Sequence, residues 1–120
     1  MDIKRLKTGT RMSQAVVSGN IAYLAGQATP DPSVSGVASQ TGAILQHIET
    51  LLAEAGTSKD RLLSATIWLK DISTFDEMNS VWDAWLPTGS APARACIEAK
   101  FPFPHVLVEI QVTAALPAST

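Results

Sequence analysis

The sequence predicts an α+β domain in which a β-sheet carries two helices on one face. Three observations point there: a Gly-Asn turn between two β-prone runs, two stretches with apolar residues at three- and four-residue steps, and a strand-like run after each of them. With 120 residues and 46% hydrophobic content, the chain is long enough for one core and short for two, so a single domain over 1–120 is expected.

The run QAVVSGNIAYLAGQ at 14–27 reads as a hairpin, because Gly19-Asn20 can adopt the positive φ that a two-residue turn demands. ATPDPSVSG at 28–36 is rich in Pro, Ser and Gly and reads as a loop. From Val37 to Ala55, the residues Val37, Thr41, Ile44, Leu45, Ile48, Leu51, Leu52 and Ala55 form one helical stripe, and Gly56 is placed to end it. RLLSATIWL at 61–69 alternates, with Leu63, Ala65, Ile67 and Leu69 on one side and Leu62, Ser64, Thr66 and Trp68 on the other. A second helix is expected from Ser73 or Thr74, since Thr74 and Glu77 have capping-box spacing, and it must stop before Pro87. Its stripe is Phe75, Met78, Val81, Trp82 and Trp85. Two further strands, at 92–99 and 105–115, are joined by KFPFP.

Alternation assigns the faces of these last strands. Ala93, Ala95, Ile97 and Ala99 share one side, and Val106, Val108, Ile110 and Val112 share one side of the next strand. These apolar sides are expected under the helices, which leaves Arg94, Cys96 and Glu109 on the opposite face. Leu62, Trp68, Leu107 and Cys96 would make that face partly apolar, so a homo-oligomer that buries it is expected.

Composition excludes several classes of function. Nine basic against eleven acidic residues give a net charge of −2, without a basic tract suited to nucleic acid. One cysteine cannot form an intrachain disulfide, and His47 and His105 have no metal-ligand spacing and lie in no nucleophile motif. No apolar stretch reads as a signal peptide or a membrane span, so a cytoplasmic protein without membrane contact is expected.

Arg94 is the first candidate, because a guanidinium pairs with a carboxylate through two parallel hydrogen bonds. Its alternatives are an ion pair with Glu98 or Glu109 and a solvated surface position. Cys96 reads as an inert thiol, since no neighbour in sequence activates it. Glu109 interrupts an apolar strand and is either solvent-facing or a carboxylate that orients water. Asn79 lies beside the apolar stripe of the second helix, as a surface amide or a ligand contact.

APARACIEA at 91–99 and VEIQVTAAL at 108–116 together resemble the C-terminal signature of the RidA/YjgF/UK114 (Rid) family. YLAGQ, LLAEAG and ATIWLKDISTFDEMNSVWDAW occur in family order, so the resemblance runs through nearly the whole chain, closest to a divergent bacterial branch. It implies a chorismate-mutase-like subunit of the bacillus type, with a mixed sheet, assembled as a homotrimer with ligand clefts between subunits. The implied activity is hydrolysis of 2-imino or enamine acids to 2-keto acids and ammonia, without cofactor or metal. By resemblance, Arg94 clamps the substrate carboxylate, Glu109 holds the attacking water, and the backbone of Cys96 lies by the substrate. Asn79 and Gly26 match pocket residues. Met12 stands where active members carry tyrosine, and Ala25 where serine is common, so one cleft wall is altered. A trimer that binds small carboxylates without turnover is therefore the alternative. The endoribonuclease label of some relatives fits poorly with an acidic chain lacking a base-stacking platform.

Overall fold

In a computed structural model, residues 2–118 form one α+β domain with six strands and two helices. The strands are β1 (Ile3–Thr8), β2 (Ser13–Ser18), β3 (Ile21–Leu24), β4 (Leu62–Leu69), β5 (Ala93–Glu98) and β6 (Val108–Ala115). They make one sheet in the order β1-β2-β3-β6-β4-β5, antiparallel except for the parallel pair β4 and β5. A parallel pair needs a long crossover, and the second helix, α2 (Phe75–Trp85), supplies it. The first, α1 (Val37–Ala55), lies against β2, β3, β6 and α2.

The bounds of α1 are those of its stripe. All eight stripe residues are buried, and each fully buried Leu or Ile contributes about 2 kcal/mol. Gly56 ends the helix at φ 94°, a left-handed conformation that glycine adopts without steric cost. The β2–β3 hairpin closes with Ser18 opposite Ile21, and Gly19 alone supplies the positive φ, at 62°. A glycine at the first central position is one of the two-residue turns that match strand twist.

Four features depart from expectation. The edge strand β1 was not foreseen, because Ile3 and Leu6 are three residues apart among charged neighbours and show no period of two; almost all of it is exposed. In β4 a bulge between Leu62 and Ser64 turns Leu62 into the core, 7% exposed, and leaves Leu63 at 45%. The capping box of α2 does not form. Glu77 Oε2 accepts instead from Ala38 N at 3.1 Å, at the start of α1, while Asp71 Oδ1 accepts from Ser73 N at 2.9 Å in the short 3₁₀ turn ahead of α2.

The fourth departure changes the site. The parallel register sets Arg94 beside Ala65, Cys96 beside Ile67 and Glu98 beside Leu69, so these three lie on the helix side of the sheet, with Cys96 partly buried and Arg94 and Glu98 exposed. The face assigned to Arg94 and Cys96 from sequence is therefore reversed. The physical reason is what α2 offers there: aromatic rings and an amide, which suit a cation better than a run of alanines. Ile97, on the open side, is 51% exposed.

Candidate active site

Arg94 is held without a carboxylate. Its Nη1 donates to Asn79 Oδ1 at 2.8 Å, and its Cζ lies 5.4 Å from the Trp82 ring centroid and 5.7 Å from that of Phe75. Phe75, Asn79 and Trp82 sit at helical spacing on one face of α2, above the start of β5. The quadrupole of an aromatic face attracts the guanidinium without cancelling its charge. The ion pairs among the described residues join Lys7 to Glu54 at 3.3 Å and Lys59 to Glu49 at 3.2 Å, and neither involves Arg94. Glu98, a partner considered from sequence, instead accepts from Ile72 N at 3.0 Å. Arg94 thus keeps its charge and free donors at the rim of a depression of about 260 Å³.

Glu109 lies across the sheet from this cation. It pairs with Trp68 in register, on the face away from the helices, whereas Arg94 pairs with Ala65 on the helix side. The two residues that sequence reasoning set on one face are not brought together within one chain. Glu109 meets Gly26 instead: a Cβ added at Gly26 would stand 2.3 Å from Glu109 Oε2. The missing side chain of Gly26 is what lets this carboxylate lie against the backbone.

The segment before β6 is fixed by a residue the sequence reading passed over. Gln40, 1% exposed, donates from Nε2 to Val34 O at 3.0 Å and His105 O at 2.8 Å, and its Oε1 accepts from Leu107 N at 2.9 Å. A polar residue beside Thr41 within an otherwise apolar stripe was the available signal. Gln27, also buried, donates from Nε2 to Gln14 Oε1 and to Ala25 O, both at 3.0 Å, and so ties the Gly26 segment to β2.

The remaining candidates spread out. Cys96 is partly buried against the core; burial pushes its thiol pKa up, and nearby Arg94 pulls it down by less. A thiol held protonated is a poor nucleophile, as the sequence suggested. Half-buried Ala25 donates from its backbone N to Gln14 O at 2.9 Å. Met12 is 47% exposed in the β1–β2 turn, beside Arg5 and Arg11. His105 Nε2 bonds Thr29 O at 3.0 Å, away from Arg94.

The family profile described as endoribonuclease L-PSP matches residues 2–116. The chain belongs to that family. It is 40% identical over 114 residues to a RutC family protein of Haemophilus ducreyi, covering 95% of this chain and 97% of that one. It is 35% identical over 116 residues to the RutC family protein YoaB of Escherichia coli, covering 97% and 100%. Among solved structures it is similar to NMB1025, a YjgF family member from Neisseria meningitidis, with a TM-score of 0.94 and 39% identity over 99% of this chain and 98% of that one. These likenesses bear out the family resemblance and the α+β fold of the chain. Among the described residues of this family member, no helix is long and apolar enough to cross a membrane, and no group of three or more His, Cys, Asp or Glu side chains could hold a metal ion.

Proposed function

We propose that this protein hydrolyses 2-imino acids to 2-keto acids and ammonium, in clefts between subunits of a homotrimer. The observation that carries this reading is the Arg94 guanidinium, fixed by an amide and two aromatic rings with no protein carboxylate in ion-pair contact among the described residues. Such a group is prepared for a carboxylate from outside the chain. Because Arg94 and Glu109 leave opposite sides of one sheet, a substrate that touches both lies between two copies. The open face supports association: Ile3, Tyr23 and Ile97 are 52%, 45% and 51% exposed on it.

The chemistry asks little of the protein. Water adds to the iminium carbon while one of its protons passes to the Glu109 carboxylate, and the resulting amino alcohol takes that proton on nitrogen. The C–N bond then breaks as the hydroxyl gives its remaining proton to Glu109 and becomes the carbonyl, and the released ammonia takes that proton and leaves as ammonium. One water is consumed, and one keto acid and one ammonium appear for each imino acid. Since the carbon is already electrophilic, holding the carboxylate and placing the water supply most of the acceleration.

The test generates imine in place with an amino-acid oxidase and follows keto-acid release. Wild-type protein should accelerate release and Arg94→Ala should not. Equal rates with and without wild-type protein, across several precursors, would remove the proposal. Keto-acid binding without acceleration would favour the carboxylate-binding trimer, which the exposed Met12 and the Ala25 segment allow as an altered wall.

A further inference from the structure

The depression at Arg94 holds a second, opposite charge. Its lining is Asn79, Trp82, Asp83, Ala91, Pro92 and Arg94. Asn79, Trp82 and Asp83 project from α2 at positions i, i+3 and i+4, and Ala91 and Pro92, just ahead of β5, complete the lining with Arg94. Asp83 does not pair with Arg94: the ion pairs among the described residues lie elsewhere. A cation and an anion therefore line the same 260 Å³ space, neither in ion-pair contact with a protein partner among the described residues, together with the amide of Asn79 and the ring of Trp82.

A space of that size, about that of nine waters, admits a small amino or imino acid. A plain carboxylate would satisfy Arg94 and be repelled by Asp83. A zwitterion whose positive nitrogen sits one carbon from its carboxylate satisfies both. We infer that Asp83 is a specificity-determining residue which selects ligands carrying a cationic nitrogen beside the carboxylate that Arg94 binds. This rests on the proposed role of Arg94 and narrows it. The protonated 2-imino acid is such a zwitterion, and the 2-keto acid product is not. Asp83 would thus favour the protonated imine, the more electrophilic form, and loosen the product once the nitrogen has left as ammonium.

Stable probes test this apart from turnover. Butyrate and L-2-aminobutyrate differ only by the ammonium group, and calorimetry with wild-type protein at low ionic strength should show 2-aminobutyrate binding about threefold tighter or more, the scale of an exposed ion pair. The preference should shrink at high salt. Asp83→Asn should weaken 2-aminobutyrate and at the same time strengthen butyrate, a change of opposite sign that mere structural damage does not produce. Equal binding of the two probes by wild type, or a loss of both in Asp83→Asn, overturns the selectivity and leaves the Arg94 clamp standing. Failure of wild type to bind either probe overturns the clamp and the selectivity together.

Discussion

Arg94 donates to Asn79 Oδ1 at 2.8 Å across the seam between β5 and α2. In the proposed function the neutrality of that acceptor is what leaves the cation free for a ligand carboxylate. Asn79→Asp would keep the geometry, strengthen the bond and cancel the charge. The expected result is a loss of carboxylate-ligand affinity of about tenfold or more, with unchanged or slightly raised stability, as charge-assisted pairs hold more tightly than neutral ones. Asn79→Ala should cost less affinity because the cation stays free. Calorimetry with butyrate on the two variants checks the order.

Gly26 and Glu109 predict a change that separates stability from activity. A Cβ at Gly26 would meet Glu109 Oε2 at 2.3 Å, the far end of a flexible side chain that can swing away. Gly26→Ala should therefore cost at most about 1 kcal/mol in denaturant unfolding. If Glu109 orients water as proposed, the displaced carboxylate no longer does so, and acceleration of imine hydrolysis should fall by about two orders of magnitude.

Gln40→Ala should act in the other way. It removes both bonds from Nε2 and leaves the Leu107 N–H without the acceptor it has at 2.9 Å. Losing partners of buried polar groups costs about 1–3 kcal/mol. A denaturant midpoint lowered without a change of slope is the expected reading.

Much of the fold was legible because burial repeats at the helical period. The stripe from Val37 to Ala55 and Gly56 specify α1 without help from the rest of the chain. The face of β5 was not legible. Alternation separates Arg94 and Cys96 from Ala93 and Ile97, but only the pairing with β4 decides which set meets the helices. What lies under Arg94 is a long-range fact: Phe75 and Trp82 form a cation seat where an apolar surface was expected. Asp83 was silent for a similar reason, since its relation to Arg94 appears only when α2 is laid over the start of β5.

Cys96 carries a pH dependence with a definite sign. Burial raises its thiol pKa in the folded chain, and the charge of Arg94 opposes that by less. A raised folded pKa means that the thiol's contribution to stability is complete below the unfolded pKa and is lost as pH rises through the folded one. Unfolding midpoints should therefore decline in the alkaline range, and less so in Cys96→Ala. Iodoacetamide should modify the folded protein more slowly at pH 8 than an unstructured thiol.

The separation of Arg94 and Glu109 onto opposite sides of one sheet gives the most direct test of a shared cleft. Arg94→Ala and Glu109→Gln should each abolish acceleration of imine hydrolysis alone. When the two variants are mixed in equal amounts and subunits are allowed to exchange, about a quarter of the clefts in a closed ring should combine an intact Arg94 from one copy with an intact Glu109 from the next. Recovery of about a quarter of wild-type acceleration is the predicted result. No recovery, in mixtures whose subunit exchange is demonstrated by mass spectrometry, would contradict a site built from both residues across two copies.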